Sequence, residues 1–149
     1  MSTKIARINQ IAKERPKEIF TSIYHMIDKE LLKECYKELD GNKAIGIDGI
    51  TKREYGDKLE ENLDNIVKRL KNKSYRPNPA RRVRIPKANG KMRRIAIANF
   101  EDKIVQMAIT KILEAIFEPK LAKNMYGFRP NRNCHDCLRY LKTCIEKEN

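Results

Sequence analysis

The chain has 149 residues, 40% hydrophobic and 36% charged, and a formal net charge of +13. That composition fits one globular domain, or part of a larger one, and the sequence carries neither an apolar run of membrane-spanning length nor the apolar stretch of a secretory signal. The expected setting is intracellular and cytoplasmic, with no membrane partner.

The first 40 residues read as helices. Ile5, Ile8 and Ile11 form a short stripe. Pro16 marks a restart, and Ile19, Phe20, Ile23, Tyr24 and Ile27 continue the helical spacing. Asp28 is a cap for a further helix carrying Leu31, Leu32, Cys35 and Leu39, and Gly41 is its stop signal. The stretch GNKAIGIDGIT, residues 41–51, has three glycines and reads as a loop. It is not a phosphate loop of the Walker type, because no Gly-Lys-Ser/Thr follows. Thr51 and Glu54 form a capping-box pattern, and one helix is expected after them with Tyr55, Leu59, Leu63, Ile66, Val67 and Leu70 on one side. The sequence SYRPNP ends it.

Charge then becomes the main signal. Between Asn65 and Phe100 there is no Asp or Glu, and there are twelve Lys or Arg. The rest of the chain is nearly neutral, so the excess is one contiguous block of the kind that attracts polyanions. Within it, residues 80–97 carry five Arg and two Lys on what reads as a β-hairpin turning at Asn89-Gly90. Loop length sets the faces. A two-residue loop would split the apolar residues between faces. A three-residue loop, Ala88-Asn89-Gly90, pairs Lys87 with Lys91 and Ile85 with Arg93, and puts Val83, Ile85, Ile95 and Ile97 on one face. Arg82, Arg84, Met92 and Arg94 then share the other, and Gly90 takes the left-handed conformation. Lys87, Lys91 and Arg93 cluster at the tip, where a point charge and a planar fork hold a polyphosphate from two directions. The opposite cations are free for a nucleic-acid backbone. A basic edge ribbon would need only one or two Lys to discourage edge pairing, so binding is the stronger reading.

Asn99, with Asp102 three residues on, marks another helix start. Ile104, Val105, Ala108, Ile109, Ile112, Leu113 and Ile116 give that helix the widest apolar face in the chain, so it is expected at the core. EPKLAKNMYGFRPNRN reads as loop and turns. A last helix is expected from near Asn133 to the end, without a stop signal, which reads as an N-terminal piece of something longer. Its Cys134, Cys137 and Cys144, with Leu138, Leu141 and Ile145, lie on one helical face. Cys134-x-x-Cys137 invites a zinc reading, but no second Cys pair exists and the two His are His25 and His135, so core packing is expected and no metal is assigned.

The segments RRVRIPKANGKMRRIAI, FEDKIVQMAITKILEAIFEP and MYGFRPNRNCHDCLRYL, in that order, resemble the group II intron-encoded reverse transcriptases, or maturases. The likeness covers roughly residues 20–149. The resemblance implies an α+β fold, mostly helical with a basic hairpin: the fingers and beginning of the palm of a right-hand polymerase. Residues 1–40 would be the N-terminal extension, 41–50 a nucleic-acid-contacting loop, 51–118 the fingers with helix 100–117, and 119–149 the start of the palm. By motif position, Lys87, Arg93 and Arg81 would meet the triphosphate of the incoming nucleotide. Asn42, Lys43, Arg82, Arg84, Lys91, Arg94, Tyr126, Phe128 and Arg129 would meet template, primer or intron RNA.

The same resemblance implies intron RNA, a template–primer, a deoxynucleoside triphosphate and the rest of the polymerase (palm and thumb) as partners, with a homodimer also allowed. Mg²⁺ is implied in the parent enzyme. Polymerisation by two metal ions needs paired carboxylates. The seven Asp here are never adjacent, and neither the first palm strand nor an aromatic-Ala-Asp-Asp turn is present. The expectation is therefore a segment that binds no metal and cannot polymerise by itself. The competing class is a non-catalytic RNA-binding or splicing module. Within the enzymes, retron- or CRISPR-type fingers are the alternative, disfavoured by the N-terminal block and the YGFRP element.

Overall fold

A computed structural model of the chain describes residues 3–147. It contains α1 (Thr3–Glu14), α2 (Lys29–Glu38), α3 (Lys52–Asp57), α4 (Leu59–Lys71), β1 (Arg81–Pro86), β2 (Met92–Ile97), α5 (Phe100–Phe117) and α6 (Cys134–Lys147), with 3₁₀ turns at Ile23–Met26 and Glu118–Lys120. The architecture is α+β, and the one sheet among the described residues is the antiparallel β1–β2 ribbon. No described helix is long and apolar enough to cross a membrane.

α5 is the central element. It buries Phe100, Ile104, Val105, Ala108, Ile112, Ala115 and Ile116, against α1 on one side and α2 and α3 on others. Leu31, Leu32 and Cys35 of α2, and Leu63 and Ile66 of α4, join it in the core, with Ile5 and Ala12 of α1, Met26, Ile27 and Tyr55. Ile109 and Leu113, expected on the same face, stay exposed: seven apolar positions span more arc than the neighbouring helices cover. Tyr36, Tyr55 and Phe100 form an aromatic cluster with ring centroids 5.4–6.4 Å apart.

Two start signals operate as the sequence suggests. Asp28 accepts from the Leu31 N–H at 3.0 Å. At α3, Thr51 accepts from the Glu54 N–H at 3.2 Å while Glu54 accepts from the Thr51 N–H at 2.8 Å. α4 ends in a Schellman motif, with the Ser74 N–H on the Arg69 carbonyl, the Lys73 N–H on the Leu70 carbonyl, and Lys73 at φ 55°.

Three expectations need correcting. The stretch from Pro16 to Ile27 is not a helix: the chain is irregular to Ser22, at φ 54°, and makes one 3₁₀ turn. Its β-branched Ile19, Thr21 and Ile23 lose rotamer freedom in a helix, and Lys120 instead holds the irregular segment by donating to the Glu18 carbonyl at 3.3 Å. The helix after Thr51 is broken at Lys58 into α3 and α4. There Tyr36 lies so close to Gly56 that an added Cβ would fall 2.2 Å from its hydroxyl oxygen. The carbonyl of Tyr55 that the break releases is taken by the Asn62 amide at 3.0 Å. Finally, the apolar face of α6 is not core: Leu138, Leu141 and Ile145 are each more than half exposed, and Cys134 and Cys137 are exposed. Amphipathic spacing defines a face but not what covers it. Residues 148 and 149, expected to extend this helix, lie outside the described residues.

The thiols consequently divide. Cys35 is fully buried and its burial pushes the thiol pKa up to about 11, whereas Cys134 and Cys137 stand in solvent. In a timed aromatic-disulfide titration of the folded chain, Cys134 and Cys137 should react at once and Cys35 only on unfolding. Fast reaction of Cys35 would contradict the packing of α2 on α5.

Candidate nucleotide and nucleic-acid interface

The hairpin register is the one the hydrophobic alternation selects. Arg81 faces Ile97, Val83 faces Ile95, Arg84 faces Arg94, Ile85 faces Arg93 and Pro86 faces Met92. The ladder continues into the turn, where the Lys87 N–H donates to the Lys91 carbonyl at 2.8 Å. Ala88, Asn89 and Gly90 form the loop, with Gly90 at φ 74°, where any Cβ would be strained. Asn89 accepts from the Lys91 N–H at 3.2 Å and tightens the turn.

Side chains alternate, so Arg81, Val83, Ile85, Arg93, Ile95 and Ile97 share one face, and Lys87 and Lys91 continue it at the tip. Val83, Ile95 and Ile97 are half-buried, and exposure grows towards the tip, where Ile85 is open. Arg93 and Lys87 sit two rungs apart, on successive rungs of the same face, as a diagonal cross-strand pair about 7–8 Å apart at the backbone. One phosphate chain can span that gap. Arg82, Arg84 and Arg94 occupy the opposite face. Among the described residues no carboxylate pairs with any of these cations, so their charge is unneutralised.

The Gly-rich loop lies at the hairpin's root. Its Asn42 is exposed, with its N–H turned back onto Asp40 at 2.9 Å. Lys43 reaches the same Asp40 at 3.8 Å, an exposed pair that holds it weakly. Gly46 is pressed against Asn99: a Cβ there would lie 2.3 Å from Asn99 Oδ1 and 2.6 Å from its Cα. The Ile47 N–H donates to the same Oδ1 at 3.0 Å, and Lys103 Nζ donates to the Ala44 carbonyl at 2.6 Å.

Beyond α5, the YGFRP turn splits the expected contact residues into three roles. Phe128 is wholly exposed, at 113% of its reference area, and adopts φ 55°. A bulky side chain held in the left-handed region and shown entirely to solvent is a feature that packing does not explain. Tyr126 is half-buried between the Arg132 guanidinium, 5.3 Å over its ring, and Tyr140 of α6 at 6.2 Å. Arg129 corrects the expectation of a nucleic-acid contact. Its side chain is only 7% exposed, and its guanidinium donates to both Glu118 carboxylate oxygens at 2.7–3.2 Å and to the carbonyls of Ala122 and Met125 at 2.8 and 2.9 Å. That bond to Arg129 holds the Glu118 carboxyl below the usual carboxylate range. Arg129 is the clasp that shapes the turn on which Phe128 stands. The signal for this, an acid eleven residues upstream at the end of a helix, is too remote in sequence to read locally.

Sequence reasoning missed Asn99 and Lys103 as loop anchors, because Asn99 reads as an ordinary cap. Among the described residues no group of three His, Cys, Asp or Glu is placed to hold a metal ion. Several aspartates are committed elsewhere: Asp28 caps α2, Asp64 pairs with Lys29 at 2.7 Å, Asp136 exchanges bonds with Asn133 at the start of α6, and Asp102 is buried under Tyr75 and the Asn78 N–H.

Comparison with known proteins gives the family. The model for "Reverse transcriptase (RNA-dependent DNA polymerase)" matches residues 85–149. Group II intron-encoded protein LtrA of Lactococcus lactis subsp. cremoris is 36% identical over 140 residues, which is 93% of this chain and 23% of that protein. Protein YkfC of Escherichia coli (strain K12) is 40% identical over 102 residues, 68% of this chain and 27% of that protein. Nuclear intron maturase 1, mitochondrial, of Arabidopsis thaliana is 36% identical over 59 residues, 38% of this chain and 8% of that protein. The chain spans about a quarter of the length of the first two relatives.

Proposed function

The chain belongs to the reverse transcriptases encoded by group II introns, and from that premise we propose that it supplies the fingers and the beginning of the palm for RNA-directed DNA synthesis, with a role in intron splicing and mobility. Residues 1–40 form the N-terminal extension, 41–50 the strand-contacting loop, 51–118 the fingers and 119–149 the palm's start. The observation that carries this reading is the shared face of Lys87 and Arg93, both without a carboxylate partner among the described residues. Lys87 and Arg93 hold the triphosphate of the incoming deoxynucleotide, and Arg81 lies on the same face nearer the root. Arg82, Arg84, Lys91 and Arg94 contact the backbone of template, primer or intron RNA, as do Asn42 and Lys43 of the loop. Phe128 offers an open ring on which a base stacks, Tyr126 lies beside it, and Arg129 positions the turn.

Reverse transcriptases use divalent metal ions, and Mg²⁺ is the ion proposed for the complete enzyme. Among the described residues no three His, Cys, Asp or Glu come together to hold a metal ion, so the carboxylates present do not fit a two-metal site and no step is derived through the metal. The segment by itself is proposed to be inactive. Palm and thumb are the proposed intramolecular partners.

Removing charge one face at a time tests the reading, in a full-length intron-encoded reverse transcriptase carrying this chain. Loss of Lys87 or Arg93 should raise the KM for nucleotide. Loss of Arg82, Arg84 and Arg94 together, as glutamines, should weaken RNA binding and flatten its dependence on salt, because fewer counterions are released. If the two faces cannot be separated in this way, the assignment fails and only a general basic surface remains.

A further inference from the structure

The first turn of α5 does something its sequence does not announce. Asn99 and Asp102 stand where a helix would use them as its own cap and third residue, yet Asn99 makes no side-chain cap bond. Both side chains are diverted, and both residues are 2% exposed. Asn99 Oδ1 takes the Ile47 N–H of the Gly-rich loop, and Asp102 takes the Tyr75 hydroxyl and the Asn78 N–H, at 3.1 Å, on the segment that leads into β1. Lys103, one residue on, holds the Ala44 carbonyl of the same loop. β2 ends at Ile97, two residues before Asn99. A single helical turn therefore fastens the loop, the approach to the first hairpin strand and the end of the second.

Contact with the loop is close as well as polar. Gly46 lies against the Asn99 backbone, so that any side chain there would displace one of the two segments.

We propose that Asn99 is a positioning residue that couples the strand-binding loop to the nucleotide-gripping hairpin, so that template–primer on the one and deoxynucleoside triphosphate on the other strengthen each other's binding. The inference rests on the reading of hairpin and loop given above. Its content is thermodynamic: each ligand must tighten the other by the same factor, and Asn99 carries that factor.

The experiment uses the full-length reverse transcriptase with a primer ended by a dideoxynucleotide, so that no bond forms. Dissociation of the template–primer is measured with and without the next complementary deoxynucleoside triphosphate. The ratio of the two dissociation constants is the coupling factor. Asn99→Ala should reduce that factor at least fivefold, and because the factor is a ratio, any equal change in template–primer affinity with and without nucleotide cancels. Asn99→Asp should restore most of it, since a carboxylate oxygen still accepts the Ile47 N–H and is favoured at a helix N-terminus. A merely structural role would lower the thermal midpoint and leave the ratio intact, which overturns the proposal. Lys103→Met, which keeps the stem and loses the bond to Ala44, should move the ratio in the same direction by less, and decides the matter should Asn99→Ala fail to fold. Lys87→Ala separates the two levels of argument. If it leaves nucleotide binding untouched, the hairpin reading itself is wrong. If it weakens nucleotide binding while neither Asn99→Ala nor Lys103→Met changes the ratio, only the coupling is wrong.

Discussion

Lys87→Ala and Arg93→Ala should each raise the nucleotide KM of the full-length enzyme by roughly 10- to 100-fold, with RNA affinity changed by less than about threefold. The size follows from the interaction removed. A hydrogen bond to a charged group contributes about 1.5–3 kcal/mol, and about 1.4 kcal/mol is a factor of ten. The separation follows from the register, since both residues share one face of the ribbon and the cations proposed for the RNA backbone are mostly on the other. Arg93→Lys is the discriminating variant. It keeps the charge but loses the planar fork, so an intermediate KM is expected if Arg93 grips two oxygens at once, and a near-normal KM if it acts as a charge alone. Steady-state kinetics over a nucleotide series, beside filter binding of RNA at two salt concentrations, check all of these. A nucleotide KM that stays normal in both alanine variants removes the triphosphate role.

The second large effect concerns stability and where the core ends. Ile104→Ala should cost about 2–5 kcal/mol, the range for emptying a fully buried aliphatic site, because Ile104 is wholly buried on α5. Marginal domains hold only about 5–15 kcal/mol in total. Leu141→Ala on α6 should stay within about 0.5 kcal/mol, since its side chain is more than half exposed. Urea unfolding of the two variants beside the parent chain measures both numbers. Equal losses would mean that the α6 face is covered in solution, against the packing described.

These two residues also show what sequence can and cannot convey. Ile104 and Leu141 sit in equally regular apolar stripes. One is buried and the other is not, because periodicity records a face while burial depends on a neighbour far along the chain. The hairpin was readable for the converse reason: its alternation, its turn and its charge are all local, and local signals fixed Val83, Ile85, Ile95 and Ile97 on one side. The caps at Asp28 and Thr51 belong to the same class. The break at Lys58 does not, since it depends on Tyr36, twenty residues upstream of Gly56, closing over that glycine. Arg129 is the instructive case in the site. Its cation looked available to nucleic acid, and only the fold brings Glu118 and two carbonyls around it. Asn99 and Asp102 resemble a cap pair in sequence, and only the position of the loop and of Tyr75 turns them outward.

The bare ribbon has one more property that follows from its seven unneutralised cations. Like charges packed along two short strands push on one another, and that internal pressure is relaxed by counter-ions of any kind. Rising ionic strength should therefore quieten the tip, shortening its swings, even as it loosens the hold on polyphosphate. Order and occupancy at this tip respond to dissolved salt with opposite signs, so that an anion arriving in dilute buffer finds the ribbon at its most restless and its most attractive together.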